Sequence, residues 1–239
     1  MKPSTRDLTG QLRDMVLRGE FAAGERMREE NLAERFSVSR TPIRAALAAI
    51  ANDGLLEYNP NRGYSVRAFN LADITAAYEM RAILEGVACR KAAERGLSLE
   101  AERDARRAID LVQSLFQDGK TFDDSAILLW REQNVMFHMA IQTQATNRFL
   151  REMLEMVQRI PAVYPPMLTP YRLEELEQFN AQHRKILECI LDRQGERAEY
   201  LMREHVLGAS ELATKQMQEG SDQPQFDITA HALWRGAEK

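Results

Sequence analysis

The sequence predicts a mainly α protein, with an N-terminal winged helix-turn-helix followed by a C-terminal all-α antiparallel helical bundle. Apolar residues recur at helical spacing through most of the 239 residues. Only between residues 55 and 66 do short strand-like runs replace that period. Charge divides the chain in the same way. Residues 1–70 hold eleven Lys and Arg against nine Asp and Glu, a net charge of +2. Because the net charge of the whole chain is −4, residues 71–239 carry a net charge of −6.

Three helices are predicted in the first fifty-two residues. The first covers residues 5–18 and is followed by Gly19, which favours a stop. A shorter helix covers residues 29–35. Ser39 is placed to cap the third helix, and Pro42 lies in its first turn, where the missing N–H of proline costs nothing. That third helix runs to about Asn52.

A hairpin follows the third helix. The runs Leu55–Tyr58 and Tyr64–Val66 flank the turn-rich segment 59–63, which contains Asn, Pro and Gly. Three helices and a two-stranded hairpin are the components of a winged helix-turn-helix. The predicted DNA-binding domain is therefore residues 1–69.

The rest of the chain is predicted to be helical. Asn70 and Asp73 form a candidate capping pair at the start of the first of six helices. The six helices cover about residues 70–95, 98–117, 121–143, 146–159, 173–193 and 195–218. We expect residues 70–218 to form an all-helical effector-binding and dimerisation domain, and residues 219–239 to be a flexible C-terminal tail. The proline-containing segment 161–171 is predicted to be an irregular loop.

Composition excludes several classes of protein. Hydrophobic residues make up 44% of the chain and charged residues 28%, as in a globular protein. No apolar run approaches the roughly 20 residues of a membrane helix, and the N-terminus lacks the apolar segment of a signal peptide. Cys89 and Cys189 are far apart and neither belongs to a CxxC pair, so no disulfide framework or zinc-thiolate site is indicated. These features predict a cytoplasmic protein with no membrane association.

The start of the third helix carries side chains suited to DNA. Arg40 and Arg44 lie one turn apart where a recognition helix enters the major groove, and arginine there binds guanine bidentately or a phosphate. Ser39 and Thr41 suit backbone phosphates, and Arg62 at the wing tip suits a phosphate or the minor groove. The alternative for the two helix arginines is an ordinary solvated face, which the complete helix and hairpin context disfavours.

Four polar residues of the second half fall on apolar helix stripes, namely Asn134, His138, His183 and His205. Three histidines therefore point inward from three separate helices. Burying three imidazoles without partners is unfavourable, and one bound metal ion satisfies all of them. Each histidine taken alone would more often be a hydrogen-bonded core residue.

One arginine also lies on an apolar stripe. Arg81 belongs to the first helix of the bundle and has the forked geometry that binds a carboxylate. The alternative is a structural salt bridge to Glu85, one turn further on. Both interactions could hold at once.

The motifs that carry a family resemblance are Gly24-Glu25-Arg26-Met27, Val38 to Leu47, Asp53-Gly54-Leu55-Leu56 and Asn61-Arg62-Gly63-Tyr64. Over residues 8–67 the chain resembles the head of GntR-family transcriptional regulators. By this resemblance the DNA contacts are Ser39, Arg40, Thr41, Arg44, Arg62 and Gly63. Ala45 departs from the glutamate that many relatives have. We expect a homodimer whose two heads bind an inverted-repeat operator in double-stranded DNA.

The second half resembles the FCD effector domain of the FadR subfamily, of the six-helix, VanR-like type, through motifs around His138, His183 and His205. In that family an Asp or Asn and three histidines hold a divalent metal ion such as zinc, nickel or manganese. The resemblance therefore gives Asn134 and the three histidines the role of ligands. Asn134 in place of Asp is a neutral, weaker ligand, so the site should hold metal less tightly and attract an anion more strongly. A small carboxylate metabolite, bound in part by Arg81, is the expected effector.

The bundle has two alternative interpretations. The histidines could form a catalytic metal site, but the inward stripes offer no general base beyond Glu85 and no nucleophile motif is present. The bundle could instead be a purely structural dimerisation module with inert buried histidines. A metabolite-responsive, DNA-binding regulator that is not an enzyme is the function that the sequence favours.

Overall fold

The protein is described by a computed structural model that covers residues 5–17, 20–116, 123–158, 160 and 172–219. Within these residues, three helices and a small sheet come first along the chain, and six helices follow. The mainly α fold with an N-terminal winged helix-turn-helix is confirmed. The segment 161–171 and residues 220–239, predicted to be a loop and a tail, lie outside the described residues.

The N-terminal elements surround one apolar core. They are α1 (Thr5–Leu17), β1 (Arg26–Met27), α2 (Glu29–Arg35), α3 (Arg40–Asn52), β2 (Leu56–Asn59) and β3 (Gly63–Val66). Leu8 and Leu12 of α1 are fully buried against Ile43 and Leu47 of α3 in the same cluster. These are the positions that the helical period placed inward.

The sheet has three strands rather than the two predicted. Its order is β1-β3-β2, and all neighbours are antiparallel. Arg26 of β1 pairs with Ser65 of β3, and Met27 pairs with Tyr64. A strand of two residues is too short to show a period in the sequence, and pairing with β3 is what makes it a strand. Asn61 in the turn between β2 and β3, and Gly63 at the start of β3, have positive φ, a conformation that these residue types favour.

Helix caps agree with the sequence at one predicted position and differ at another. Asn70 and Asp73 form a full capping box, with Asp73 N donating to Asn70 Oδ1 at 2.9 Å and Asn70 N donating to Asp73 Oδ2 at 2.9 Å. Ser39 occupies the N-cap position of α3, but among the described residues its hydroxyl makes no capping hydrogen bond. The backbone of Ser39 is extended, as is usual at an N-cap.

The second half contains six helices in the described part of the chain. They are α4 (Leu71–Arg95), α5 (Leu99–Gln113), α6 (Asp124–Gln142), α7 (Arg148–Gln158), α8 (Leu173–Leu191) and α9 (Gly195–Glu219). A short 3-10 helix, Ser114–Phe116, extends α5. Asp123 caps α6 by accepting from Ala126 N at 3.1 Å, and Thr121, where this helix was predicted to start, lies outside the described residues.

The long helix α4 packs against several of the others and most extensively against α9. Its residues Ile74, Tyr78 and Ala92 are completely buried, in one cluster with Phe137 of α6 and Val206 of α9. None of the helices in the described ranges has an apolar stretch long enough to cross a bilayer.

Gly86 permits the close approach of α4 and α9. A Cβ at this position would lie 2.8 Å from Arg203 Cγ and 3.1 Å from the carbonyl oxygen of Glu199. Gly208 of α9 has open space at the same point. Both glycines lie within helices, where alanine is intrinsically better by about 1 kcal/mol. The two positions therefore differ in packing alone.

We expect Gly86→Ala to lower the free energy of unfolding by about 1–3 kcal/mol, because the added methyl group pushes α9 away from α4. Gly208→Ala, the matched control, should leave the stability unchanged or raise it by up to about 1 kcal/mol. Urea unfolding followed by far-UV circular dichroism measures both values. Equal effects of the two substitutions would contradict the tight α4–α9 contact.

Candidate functional site

The predicted DNA-binding side chains lie together on one end of α3 and on the wing. Ser39, Arg40, Thr41 and Arg44 are all exposed at the start of α3. Arg62 is exposed in the turn between β2 and β3, and Gly63 next to it is half-buried. The exposed faces leave these groups accessible to a duplex. Their role as DNA contacts stays a prediction.

A cleft between the wing and α3 adds two cations that sequence reasoning missed. Its lining includes Arg26, Arg28, Arg40 and Arg62. Arg26 and Arg28 are exposed on either side of the buried Met27. The alternation of polar and apolar residues at positions 26–28 was the available signal in the sequence, but three residues are too few to establish a strand period.

The arginines of α3 are held by an acidic residue of α2. Both oxygens of Glu29 accept from Arg44, with Oε1 at 2.9 Å from Nε and Oε2 at 2.8 Å from Nη2. Arg40 donates to the same Oε2 from Nη2 at 3.0 Å and contacts Glu30 Oε1 at 2.8 Å. The hydrogen bond from Arg44, opposed by burial and assisted by Arg40, lowers the pKa of Glu29. Glu29 therefore stays charged and cancels part of the positive charge at the start of α3.

The three predicted histidines meet in the interior of the bundle. His138 of α6, His183 of α8 and His205 of α9 are all buried. One ring nitrogen from each lies within 4.8 Å of those of the other two. His183 Nε2 is 3.1 Å from His205 Nε2, and the ring of His183 stacks on Phe137 at 4.0 Å between centroids. Three helices thus bring three imidazoles to one point.

Two of the histidines have their outer ring nitrogen bonded to an oxygen. His205 Nδ1 lies 2.8 Å from Gln182 Oε1, and His138 Nδ1 is hydrogen-bonded to Glu85 Oε2. An oxygen acceptor favours a proton on Nδ1, which leaves Nε2 as the nitrogen that carries the lone pair in a neutral ring. This is the arrangement that supports metal-binding histidines in proteins, in which an outer carboxylate or amide fixes the tautomer.

Burial keeps two of the imidazoles neutral. The pKa of His183 is well below its usual value because of burial first, and then because of His205, His138 and Arg81. Burial, His138 and Arg81 lower the pKa of His205 in the same direction. Neutral imidazole is the form that binds a metal ion. Two neutral imidazoles beside a third ring whose Nδ1 is hydrogen-bonded to Glu85 therefore fit a divalent cation.

Arg81 makes the structural salt bridge that was one of its two predicted roles. Its Nε lies 2.5 Å from Glu85 Oε1, and both side chains are almost completely buried, at 2% and 1% exposure. Burial alone would raise the pKa of Glu85, but Arg81 and His138 outweigh burial and hold it below its usual range. Glu85 is therefore an ionised carboxylate that joins α4 to α6. The contact to His138 was missed because the two residues are 53 positions apart.

Asn134 is buried on α6, one turn before His138. The helix thus places Asn134 on the side of α6 that carries His138. Its part in a ligand set stays a prediction, as does the binding of an effector by Arg81.

Family models match the two halves of the chain separately. The model described as bacterial regulatory proteins, gntR family, matches residues 5–66. The model described as FCD domain matches residues 76–208, which include Arg81, Glu85 and the three clustered histidines.

Curated relatives extend along most of the chain. The uncharacterized HTH-type transcriptional regulator YdhC of Bacillus subtilis (strain 168) is 29% identical over 201 residues, which are 82% of this chain and 83% of the relative. The HTH-type transcriptional repressor GlaR of Escherichia coli (strain K12) is 27% identical over 201 residues, 82% of this chain and 89% of the relative.

Two solved structures share the fold. Escherichia coli McbR/YncC superimposes with a TM-score of 0.65 at 20% identity, over 90% of this chain and 99% of that chain. A GntR regulator from Rhodococcus sp. RHA1, described as putative in its structural report, gives a TM-score of 0.61 at 21% identity, over 87% and 96% of the two chains. At these identities the likeness shows the arrangement of helices and strands.

We expect Glu85→Gln to destabilise the protein by about 3–5 kcal/mol, because it removes the negative charge opposite a buried guanidinium. The measurement is the free energy of unfolding in urea. Glu102→Gln is the matched control, since Glu102 forms an i,i+4 pair with Arg106 at the surface, where such pairs contribute little. A loss at Glu85 no larger than that at Glu102 would show that this carboxylate does not hold the bundle together.

Proposed function

Because the chain belongs to the GntR family of bacterial transcriptional regulators and carries an FCD domain, we propose that it is a homodimeric switch that responds to a small organic acid. In this proposal residues 1–69 bind an inverted-repeat operator, and residues 70–218 bind the metabolite and form the dimer. The observation that carries the proposal is the meeting of three buried imidazoles, two of them oriented by oxygen acceptors.

The proposed DNA contacts are Ser39, Arg40, Thr41, Arg44, Arg62 and Gly63, and the cleft geometry adds Arg26 and Arg28. Arginines at the start of a recognition helix read bases, whereas arginines beside the wing contact phosphates. A dimer would place one such surface on each half of the operator. We also propose a cytoplasmic location for the protein, because the cytoplasm contains this DNA.

The proposed metal ligands are His138, His183 and His205, with Asn134 as the fourth. A zinc, nickel or manganese ion would supply a positive centre for an anionic ligand. Gln182 and Glu85 would orient the ligating rings. Arg81 lies against Glu85 in this site, so we propose that it assists carboxylate binding while also balancing the charge of Glu85.

The site geometry disfavours the enzyme alternative. Glu85 was the one candidate general base, and it is ionised, almost fully buried and engaged by both Arg81 and His138. A carboxylate held in this way accepts a proton poorly. We therefore propose a regulator without catalytic activity. The alternative of an inert, purely structural bundle predicts a protein without bound metal, whereas the proposal predicts a bound divalent ion.

The metal proposal is tested by equilibrium dialysis of the full chain against Zn²⁺. We expect about one ion per chain in the wild type and at least a tenfold weaker affinity in His205→Ala. His231, the fourth histidine of the sequence, provides the control, and His231→Ala should bind as the wild type does. Wild-type protein that retains no Zn²⁺, Ni²⁺ or Mn²⁺ would leave the inert bundle as the better interpretation.

Melting temperatures of the Zn²⁺-loaded protein, measured with and without acetate, succinate or citrate, test the effector proposal. A binding acid at a hundred times its dissociation constant should stabilise the fold by about 2.7 kcal/mol. Comparing each variant with itself removes the destabilisation that Arg81→Ala causes through Glu85. The proposal requires the acid-dependent shift in melting temperature to be smaller in Arg81→Ala and in His205→Ala than in the wild type. Turnover of an added acid would instead support the enzyme interpretation.

Glu29 and Arg44 should affect DNA binding in opposite directions. Arg44→Ala removes a proposed base contact and should weaken binding to the operator by about 1–3 kcal/mol and relax the sequence preference at that position. Glu29→Gln releases both Arg40 and Arg44 from their shared carboxylate. It should tighten binding to a random duplex of about 20 base pairs and make that binding steeper in salt.

Fluorescence anisotropy across a salt series measures both effects, with an operator selected from a random-sequence pool as the second duplex. Glu30→Gln is the control, because Glu30 contacts Arg40 and leaves the bidentate pair between Glu29 and Arg44 intact. If Arg44→Ala binds both duplexes as tightly as the wild type at moderate salt, α3 is not the DNA-reading element.

A further inference from the structure

Two tyrosines face each other across the strands of the wing. Tyr58 of β2 pairs with Tyr64 of β3, and their ring centroids are 5.1 Å apart at an interplanar angle of 56°. Tyr58 is 62% exposed, whereas Tyr64 is half-buried. A cross-strand aromatic pair stabilises a hairpin through its rings, and phenylalanine would do this equally well. The exposed hydroxyl of Tyr58 is therefore not explained by the pairing of the strands.

The alternation of side chains places both tyrosines on the inner face of the sheet. Leu56 precedes Tyr58 by two positions, Val66 follows Tyr64 by two, and both apolar residues are buried in the N-terminal core. Residues two apart along a strand share a face. Tyr64 packs against that core and also lines the cleft between the wing and α3. Tyr58 continues the same face outward into solvent.

This face lies beside the start of α3. The hydrogen bond and the charge of Glu29 raise the pKa of Arg44 most, burial opposes them, and the phenol groups of Tyr64 and Tyr58 raise it further. Such an influence requires both phenol groups to lie near the guanidinium group. Arg44, Tyr64 and Tyr58 thus form one continuous surface between α3 and the wing.

The charge on this surface suits an anion. Glu57, the acidic neighbour of Tyr58, lies on the opposite face of the hairpin, where its Oε1 accepts from Ser65 Oγ at 3.2 Å and from Asn59 Nδ2 at 3.3 Å. A duplex that contacts both α3 and the wing tip places the backbone between those contacts over this surface. Phosphate oxygens only accept hydrogen bonds, and a tyrosine hydroxyl donates one.

We propose that Tyr58 is a further DNA contact, in which its hydroxyl donates to a backbone phosphate between the α3 and wing contacts while the ring of Tyr64 holds it in position. The contact carries no sequence information, because every nucleotide presents the same phosphate. The inference rests on the proposed function for DNA binding by residues 1–69, and it does not depend on the metal or the effector.

Fluorescence anisotropy of the full chain tests the contact, with the random duplex of about 20 base pairs and the selected operator as probes. Tyr58→Phe keeps the ring pair and removes the hydroxyl. It should raise the dissociation constant about tenfold for both duplexes, as expected for a hydrogen bond to a charged group. The slope of affinity against salt should not change, because no charge is lost. Tyr200→Phe is the matched control, since Tyr200 of α9 is also 62% exposed and should bind as the wild type does.

A double-mutant cycle tests the positioning role of Tyr64. Tyr64→Leu removes the ring contact and should weaken binding to both duplexes in the wild-type background. It should have little further effect in Tyr58→Phe, because the hydroxyl that it positions is already absent. Urea unfolding checks that Tyr58→Phe leaves the stability unchanged. A purely structural role of Tyr64 would give the same loss in both backgrounds and would contradict the positioning role.

Tyr58→Phe that binds both duplexes as tightly as the wild type would overturn the contact and leave the DNA-binding proposal standing. A loss confined to the operator would overturn the phosphate assignment, since it would show a base contact. A wild-type chain that binds neither duplex would overturn both the contact and the proposed DNA-binding function.

Discussion

The bundle depends on one buried carboxylate. Glu85 lies on α4 and is bonded to Arg81 of the same helix and to His138 of α6, with almost no exposure to solvent. A buried charge is tolerated only when opposite charge and hydrogen bonds replace the water it has lost. The positions of Arg81 and His138 are therefore linked. His138 also faces His183 of α8 and His205 of α9. The need of Glu85 for a partner at His138 therefore affects the positions of all three rings.

A second carboxylate has a comparable role in the DNA-binding half, but at the surface. Glu29 holds two guanidinium groups that would otherwise sample many rotamers. Water and salt reach this cluster, so it contributes little to folding. It holds the two positive groups beside α2. The two halves of the molecule thus contain the same pair of chemical groups, one buried in the bundle and one near the surface where α2 meets α3.

Helical periodicity was enough to predict the six bundle helices, and it placed Asn134 and the three histidines in the interior. Local chemistry was enough for the Asn70 capping box. Contacts between residues far apart in the chain could not be predicted in the same way, because neither helical periodicity nor a local motif shows which distant residues meet. Glu85 with His138, and Glu29 with Arg44, are separated by 53 and 15 positions. Strand β1 was missed because its two residues become a strand only by pairing with β3.

The capping box at Asn70 has a mechanical consequence. It fixes the first turn of α4 immediately after the wing, since Arg67, Ala68 and Phe69 are all that separate it from the end of β3. From there α4 runs without interruption past Glu85, about 22 Å along its axis. An unbroken helix turns or shifts largely as one unit, because a sharp kink requires a proline, a bulge or an inserted group. A displacement of Glu85 within the histidine cluster would therefore also move the start of α4, next to the end of β3.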